Sequence, residues 1–355
     1  MRLGVLPDGL VEWLALRLNL VPTPLADGVF AMMACRALMA GLRLGVIDEL
    51  ATGPATAQDL AKRLNLDLTG TEALTEVLAS GGYLERLGPR YRLARWAHRW
   101  LDPNGPTYIG NLIRFNLDHW EWWSHLETTL QTGQPVAIHQ TLPDSAAWRR
   151  YVLGMRDLAG LVADEVVGAL RPSVLPRRLL DIGGAHGAYA AAFCRRYPTM
   201  TAMVLDLPAV AEIGAELMAP SDMADRIEFR AGDARQDELG TDYDIVLLFD
   251  LLHHFPAPEA RALLSRAVGA LKPGGMIAIL EPTRTPRPSQ LAALLHLHYF
   301  LASHGGVFSP ETLVAWLTRA GCQRVRQRGL RRAPGLSLFS AYRETISTSP
   351  SVATP

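Results

Sequence analysis

The stretch Leu179–Ala190, LLDIGGAHGAYA, decides the fold because an apolar strand gives way to a helix within it. Glycine adopts backbone conformations that other residues avoid, so Gly183, Gly184 and Gly187 predict a tight turn. Such a turn brings backbone N–H groups close to a ligand, and the next helix offers that ligand its positive end. A turn of this kind also serves simply to pack a helix on a strand, so the glycines alone leave both interpretations open.

The sequence after Arg178 alternates short apolar runs with helical ones, which indicates a parallel sheet covered by helices. Five strands are predicted in RRLLDIG, TAMVLDLP, DRIEFRAGD, YDIVLLFDLL and GMIAILEP, and closing antiparallel strands in QRVRQRGL and LSLFSAYR. The fold class is therefore α/β, with an open, Rossmann-like, doubly wound sheet. Ligands of such sheets bind at the carboxyl ends of the strands.

Aspartates stand at three of these strand ends. Asp206 ends the second strand, where a carboxylate can accept both hydroxyls of a ribose, and Asp233 ends the third, placed for an adenine amino group. A site for NAD would also have an acid at the position of Asp206, so Asp206 alone does not distinguish NAD from a cofactor with one ribose and one adenine. Asp181 separates the two cases, because a carboxylate there would repel a pyrophosphate and attract a bound ammonium and sulfonium. The predicted cofactor is therefore S-adenosylmethionine.

The first hundred residues predict a winged helix. Residues 27–50 are apolar all round at helical spacing, which predicts one helix buried on more than one side. Thr56 is a good N-cap for the next helix, and Gly81 and Gly82 end the third. YLERLGPRYRLA then alternates around a Gly-Pro turn, as a β-hairpin does. We expect a winged-helix dimerisation domain over residues 1–105 and hence a homodimer.

Winged helices often bind DNA, but this one has the wrong charge. Between Thr69 and Gly82 the sequence has no Lys or Arg, whereas Glu72 and Glu76 are present. The whole chain has a formal net charge of zero, so no electrostatic footprint for nucleic acid or an anionic membrane is seen. We expect no nucleic-acid partner and no membrane partner, and assign the module to dimerisation.

Composition and length bound the remaining organisation. With 355 residues the chain predicts more than one domain, and Arg and Glu interrupt every apolar stretch of the first hundred residues. Three widely separated cysteines predict reduced thiols and a cytoplasmic protein without a signal peptide. We expect a helical linker over residues 106–170 that contributes to the substrate pocket, a cofactor-binding domain over 171–343 and a disordered tail over 344–355.

Seven motifs in order resemble the S-adenosylmethionine-dependent O-methyltransferases of the plant and bacterial type, which carry an N-terminal winged-helix dimerisation domain. The motifs are DIGGAHG, VLDLP, AGDA, LLHHFPAPEARALL, LKPGG, IAILEP and GGVFSPETLVAWLTRAG. The resemblance implies that His253 is the general base and that Glu281 steadies its imidazole. It also implies a small-molecule substrate, planar and largely apolar, that is methylated on a hydroxyl without a metal ion.

The remaining site residues follow from the strand ends and from this resemblance. The predicted cofactor-binding residues are Asp181, Gly183, Gly184, Asp206, Leu207, Asp233, Ala234 and Phe249. The predicted substrate-pocket residues are Trp123, Met155, His254, Tyr299 and Phe300. Aromatic and methionine side chains suit a flat apolar ligand, although a tryptophan cluster also suits a core that joins two domains.

The sequence departs from the family pattern at several positions. Ala185 replaces a frequent glycine, and Phe249 replaces a lysine that touches adenosine in plant enzymes. The second carboxylate that brackets the catalytic histidine in plant enzymes is missing, because GGVFSP offers Phe308 or Val307 there. Transfer to carbon or nitrogen, or loss of methyl transfer, therefore stays open, and an NAD-dependent oxidoreductase or a DNA-binding regulator is less favoured. His296 and His298 diverge on a helix and predict no metal site. His186 and His304 have no assigned role.

Overall fold

The structure, a computed structural model, describes residue 7, residues 9–142 and residues 144–345. Its chain forms two compact units, one that ends at Trp120 and one that begins at Glu121. This division falls inside the segment 106–170 that was predicted as a linker. The predicted disordered tail lies outside the described residues, apart from residues 344 and 345.

The first unit is mostly helical and carries a small sheet. In chain order its elements are α1 (Leu10–Arg17), α2 (Thr23–Leu25), a π-helical turn (Ala26–Phe30), α3 (Ala31–Arg43), α4 (Val46–Thr52), β1 (Ala55–Thr56), α5 (Ala57–Leu64), α6 (Leu68–Ser80), β2 (Leu84–Leu87), β3 (Arg90–Leu93), α7 (Arg95–Leu101) and α8 (Gly110–Trp123), which contains the division. The strands pair antiparallel in the order β1-β3-β2.

The helix cap, the helix end and the hairpin of this unit lie at the residues predicted from the sequence. Thr56 accepts a hydrogen bond from the N–H of Asp59, whose side chain accepts one from the N–H of Thr56, so a capping box starts α5. Gly81 follows the last residue of α6. The predicted hairpin forms β2 and β3, and Leu84 faces the core with Tyr91.

The prediction of one helix over residues 27–50 is wrong. Gly45 has a φ of 82°, a left-handed conformation that ends α3 and allows the chain to restart as α4. The predicted all-round burial is also wrong for the first half, where Phe30 and Met33 are 57 % and 55 % exposed. Thr23–Arg43 is long and apolar enough, by length and composition, to cross a membrane, which the sequence analysis did not expect. The core helix of a soluble protein passes the same test.

The second unit alternates strands and helices. Its elements are α9 (Leu126–Thr132), α10 (Ile138–Thr141), α11 (Ser145–Ala169), β4 (Arg178–Ile182), α12 (Ala188–Arg196), β5 (Thr201–Asp206), α13 (Pro208–Met218), a 3₁₀ turn (Ala224–Arg226), β6 (Ile227–Ala231), β7 (Tyr243–Phe249), a 3₁₀ turn (Leu252–His254), α14 (Ala257–Ala270), β8 (Leu271–Pro282), α15 (Gln290–Ser303), α16 (Pro310–Arg319), β9 (Cys322–Gly329) and β10 (Leu336–Arg343).

Seven strands form one sheet in the order β6-β5-β4-β7-β8-β10-β9. The pairs from β6 to β8 are parallel, and β10 runs antiparallel to both β8 and β9. From β4 the chain first adds β5 and β6 on one side of the sheet and then adds β7 and β8 on the other, so the switch point lies between β4 and β7. That switch point opens a crevice at the carboxyl ends of the strands.

Helices cover both faces of this sheet. Ile245 and Leu247 of β7 belong to the core cluster that includes residues of α11 and α12, whereas Val246 and Leu248 belong to the cluster that includes residues of α14 and α16. All seven residues of β7 are buried. A central strand buried on two faces reads as a continuous apolar run, as YDIVLLF does.

Gly45→Ala tests whether the break between α3 and α4 needs glycine. A Cβ at this position would lie 3.3 Å from Cδ2 of Leu64 at a φ of 82°, so we expect a loss of about 1 kcal/mol in unfolding free energy. Gly160 lies in the middle of α11 with nothing near its absent Cβ, so Gly160→Ala should instead stabilise by about 0.5–1 kcal/mol. Urea unfolding measures both, and equal signs would contradict the prediction.

Candidate active site

A cleft of about 440 Å³ covers the carboxyl ends of the parallel strands. The residues that line it come from four strand ends, from α10 and α11, and from the end of α15. They are Pro135, Ala137, Ile138, His139, Gln140, Trp148, Tyr151, Gly183, Ala185, Asp206, Leu207, Val210, Asp233, Arg235, Asp250, Leu251, His254, Phe255, Pro256, Glu259, Ser303 and His304.

The glycine turn after β4 forms the floor of the cleft. Gly183 has a φ of 73°, and a Cβ there would lie 2.8 Å from Leu251. Ala185 has a φ of 40°, which costs an alanine of order 1 kcal/mol or more. Its N–H donates a hydrogen bond of 2.9 Å to Oδ2 of Asp206, which helps to hold that conformation.

His186, which had no assigned role, caps the helix that follows the turn. Its Nδ1 accepts a hydrogen bond of 3.0 Å from the N–H of Ala188, the first residue of α12. Burial lowers the pKa of His186 to about 3, so the ring stays neutral and Nδ1 keeps the lone pair that the cap requires. The histidine therefore satisfies one of the free N–H groups at a helix start.

Asp206 lines the cleft and has acceptor positions that the protein does not fill. Each of its oxygens accepts one backbone N–H, Oδ1 from Leu207 at 2.7 Å and Oδ2 from Ala185 at 2.9 Å. A carboxylate has about four acceptor positions, so two stay available to hydroxyl groups in the cleft. Burial raises the pKa of Asp206 to about 6, although the two backbone hydrogen bonds oppose that rise.

Asp181 is completely buried and does not line the cleft. Among the described residues neither of its oxygens has a hydrogen-bond partner. A Cβ on Gly184 would lie 2.5 Å from the carboxyl carbon of Asp181, so the carboxyl group packs directly against that glycine. Burial, and then the charge of Asp206, raise the pKa of Asp181 to about 7.

Asp233 lines the cleft as expected, but its carboxylate already has a partner. Arg235 donates to it from Nη2 at 2.7 Å and also lies 3.6 Å from Glu259. The hydrogen bond from Arg235 lowers the pKa of Asp233. Ala234 packs against the core beneath, and Phe249 packs edge-on against Tyr189 at 4.8 Å, so neither lines the cleft.

Asp250 is a cleft residue that the sequence analysis missed. It follows β7 at a φ of 49°, and its N–H donates to the carbonyl of Leu280 in the neighbouring strand. Burial, and then the charge of Glu281, raise the pKa of Asp250 to about 7, whereas His253 lowers it. Its place at the carboxyl end of a parallel strand was the available signal, as it was for Asp206 and Asp233.

His253 and Glu281 form a buried pair. Nδ1 of His253 lies 2.6 Å from Oε2 of Glu281, and the two residues are 3 % and 1 % exposed. Oε1 of Glu281 accepts the N–H groups of Leu251 at 2.9 Å and Leu252 at 2.7 Å. The carboxylate thus fixes both the backbone of the turn after β7 and the tautomer of the imidazole, with the proton on Nδ1.

Two aromatic side chains adjoin the His253 ring. Tyr299 stacks on it with 3.8 Å between centroids and an interplanar angle of 19°. His254 lies 4.3 Å away at 55° and lines the cleft, whereas His253 and Tyr299 do not.

Trp123 donates from Nε1 to Nδ1 of His298 at 3.2 Å, and its ring stacks on that histidine.

The other predicted pocket residues lie outside the cleft lining. Phe300 faces the ring of His304 at 5.6 Å, and Met155 is half-buried in α11. His304 lines the cleft and contacts the carbonyl of Gly133, and Nδ1 of His296 accepts the N–H of Val307. Within the described parts of the chain, no group of three or more His, Cys, Asp or Glu side chains could hold a metal ion.

Sequence reasoning also missed an aromatic wall of the cleft. His139, Trp148 and Tyr151 come from α10 and α11 and contact one another, with 5.6 Å between the centroids of His139 and Tyr151. Burial, and then the charges of Asp206 and Asp250, raise the pKa of Tyr151. Aromatic residues on a helix usually signal a core, so only their placement over the strand ends reveals this role.

Comparison with known proteins identifies the family. Residues 127–323 match the O-methyltransferase domain, and residues 26–103 match the O-methyltransferase dimerisation domain. The chain is 28 % identical to 3-hydroxy-5-methyl-1-naphthoate 3-O-methyltransferase of Streptomyces sahachiroi, across 86 % of this chain and 90 % of that protein. It is 29 % identical to the tetracenomycin polyketide synthesis 8-O-methyl transferase TcmO of Streptomyces glaucescens, across 86 % and 92 %.

The fold agrees with solved structures. Human N-acetylserotonin methyltransferase, crystallised with S-adenosylmethionine, superposes with a TM-score of 0.81 at 22 % identity, across 96 % of this chain and 100 % of that one. The seven-stranded sheet and its helical N-terminal unit are therefore those of the methyltransferase fold. On the match to both family domains, the chain belongs to the S-adenosylmethionine-dependent O-methyltransferases.

Proposed function

We propose that this methyltransferase methylates a hydroxyl of a planar, largely apolar small molecule of the aromatic or polyketide type, with His253 as the proton acceptor. The observation that carries the proposal is the buried His253–Glu281 pair at the switch point of the sheet. The two Streptomyces relatives support the substrate class, because their names specify a naphthoate and a tetracenomycin polyketide.

The residues of the cleft fit S-adenosylmethionine. When bound, this cofactor supplies a methyl group already activated by a sulfonium. Asp206 offers two acceptor positions to the ribose hydroxyls, and Gly183 and Ala185 bring the backbone close beside it. The unpaired carboxyl of Asp181 and the raised pKa of Asp250 mark an edge of the sheet where a cation lowers the electrostatic free energy.

The chain's own part in the reaction is to hold, orient and deprotonate the acceptor. A phenol with a pKa of about 10 is a weak nucleophile near pH 7, so removal of its proton helps the attack. We assign this step to Nε2 of His253, because Nδ1 is committed to Glu281. Tyr299 covers one face of the ring and Nδ1 is bound to Glu281, so the proposal has the hydroxyl meet the Nε2 edge of His253.

The walls of the cleft suit a flat substrate. Trp148, Tyr151 and Phe255 present aromatic surfaces, which bury planar molecules well. Alignment of the oxygen with the methyl carbon and sulfur is the main remaining requirement, and held geometry can lower a barrier by several kcal/mol. Product mass and NMR would place the methyl group on oxygen, or on carbon or nitrogen if the acceptor is of another class.

We also propose that the enzyme is a homodimer formed through its N-terminal unit. Exposed apolar side chains on the π-helical turn and on α3, among them Phe30, Met32 and Met33, lie within the matched dimerisation domain. Contiguous exposed apolar surface of this kind marks an interaction site. A second copy would cover the helix that is apolar enough to resemble a membrane span.

His253→Ala tests the proton acceptor. We expect turnover to fall roughly 10²- to 10⁴-fold, because the hydroxyl loses its base. The affinity for S-adenosylmethionine should change little, since the cofactor is assigned to Asp206 and the glycine turn and not to His253. Steady-state kinetics and calorimetry measure the two effects, with His125→Ala at an exposed site as the matched control. Unchanged turnover in His253→Ala would refute the assignment.

The acidic cleft predicts that cofactor affinity depends on pH. Asp206 and Asp250 ionise with pKa values raised to about 6 and about 7, so both carry more charge at pH 8 than at pH 6. A cation binds the ionised form better, so the affinity for S-adenosylmethionine should rise roughly three- to tenfold over that range and then level off. S-adenosylhomocysteine lacks the sulfonium charge and should show a smaller rise.

Calorimetry at several pH values measures this difference between the two ligands. Asp250→Asn should reduce the rise for S-adenosylmethionine, whereas Asp222→Asn, at an exposed site paired with Arg195, should leave it unchanged. Parallel pH profiles for the sulfonium and the thioether would show that these carboxylates do not sense the charge of the ligand.

Met33→Glu tests the homodimer. A charge placed within an apolar interface is left without its water and without a partner, so the variant should sediment as a monomer where the wild type sediments as a dimer. Val174→Glu, at a site that is 59 % exposed in the second unit, is the control and should stay dimeric. A wild-type protein that sediments as a monomer would exclude the proposal.

A further inference from the structure

Histidine rings in the second unit differ in whether a protein group hydrogen-bonds to their nitrogen atoms. In one group Nδ1 is engaged by a protein group, an N–H or a carboxylate: His186, His253, His296 and His298. By contrast, only ring contacts join His139 and His254 to their described neighbours. The fold therefore does not use the hydrogen-bonding capacity of these two imidazoles.

The two unpaired rings lie together in the wall of the cleft. His139 and His254 meet edge to face, with 4.6 Å between centroids and an interplanar angle of 84°. Nδ1 of His254 is buried and has no partner within the described residues, which leaves Nε2 as the nitrogen that can meet a ligand. A ligand oxygen that hydrogen-bonds to Nε2 gives the ring a partner that the described protein groups do not supply, and such a bond adds affinity.

Both rings are neutral at physiological pH. Burial lowers the pKa of His139 to about 4, and burial together with His253 holds the pKa of His254 well below its usual range. A neutral imidazole offers one donor and one acceptor, which suits a hydroxyl or a carbonyl. A carboxylate would need a cation, which the two rings do not supply.

The cleft offers little else to an anionic substrate. Arg235 carries the only guanidinium or ammonium group among the described residues that line it, and both Asp233 and Glu259 already engage that group. Asp206 and Asp250 add carboxyl groups to the lining. A negatively charged substituent would therefore leave water without gaining a counter-charge.

We propose that His139 and His254 bind an uncharged oxygen next to the reacting hydroxyl, so that the substrate is a neutral aromatic with two oxygens on neighbouring carbons. This inference rests on the proposed function, which assigns the reacting hydroxyl to His253. The His253 and His254 rings are adjacent, with 4.3 Å between centroids, so an oxygen on the carbon next to the reacting hydroxyl would lie beside His254. The two histidines are then residues that determine specificity.

Three flat probes of similar size test the inference on protein saturated with S-adenosylhomocysteine. They are 2,3-dihydroxynaphthalene, 2-naphthol, which lacks the second oxygen, and 3-hydroxy-2-naphthoate, which has a carboxylate in its place. We expect calorimetry to show that the wild type binds the dihydroxy compound roughly tenfold or more tightly than either of the others. Equal binding, or tightest binding of the carboxylate, would overturn the inference.

Variants at position 254 identify the group responsible. His254→Phe keeps a ring of similar shape but removes both nitrogens, so the preference for the second oxygen should disappear. His254→Gln places an amide near the position of Nε2 and should keep most of it, and His139→Phe should weaken it. His125→Phe is the control at an exposed site and should have no effect. A preference that survives in His254→Phe would mean that the two rings only pack.

The binding assay and the reaction can fail separately. Binding requires no turnover, so a clear preference without methyl transfer to the dihydroxy compound would contradict the proposed function and support the specificity. Methyl transfer at equal efficiency to 2-naphthol and to the dihydroxy compound would support the proposed function and contradict the specificity. Absence of binding by all three probes would count against both.

Discussion

Glu281 is the group on which the arrangement of the site depends. It stands near the end of β8, almost completely buried, and its two oxygens accept hydrogen bonds from the turn after β7 and from the His253 ring. The interactions that satisfy the oxygens of this buried carboxyl group therefore also fix the turn. That turn carries Asp250 and His254 into the cleft. The local structure of the site is thus set by one side chain of a neighbouring strand.

The second constraint is the gathering of carboxyl groups at one edge of the sheet. Parallel strands bring their carboxyl ends together, and in this chain Asp181, Asp206 and Asp250 stand at three adjacent ends. Burial raises the pKa of all three, and a neighbouring carboxylate adds to the rise for Asp181 (from Asp206) and for Asp250 (from Glu281). This is unfavourable for the protein alone and favourable once a cation is present. The family's cofactor carries such a charge on its sulfonium. The proposed binding of the sulfonium at this edge would offset that cost.

The sequence predicted the sheet well because its strands are apolar and separated by helices, and Asp206 was found because it ends such a strand. It did not predict that Asp181 packs under Gly184, since spacing along a strand does not say which face of a turn a side chain meets. The cleft wall at His139 and Tyr151 was missed for a related reason: it comes from a segment far from the strands in sequence. The break at Gly45 was overlooked because an apolar pattern continued across it, although glycine is a common helix end.

The cleft combines two opposite electrostatic environments within about 440 Å³. On the side of the glycine turn, carboxylates and oriented backbone groups suit a charged, hydroxyl-rich cofactor. On the side of α10 and α11, aromatic rings and neutral imidazoles suit an uncharged planar molecule. A neutral substrate wall also has a consequence for the chemistry, because a cationic imidazole beside His253 would disfavour protonation of the base. Burial of His139 and His254 keeps them uncharged, so the ring that is proposed to accept the proton has neutral neighbours on that side and the Glu281 carboxylate on the other.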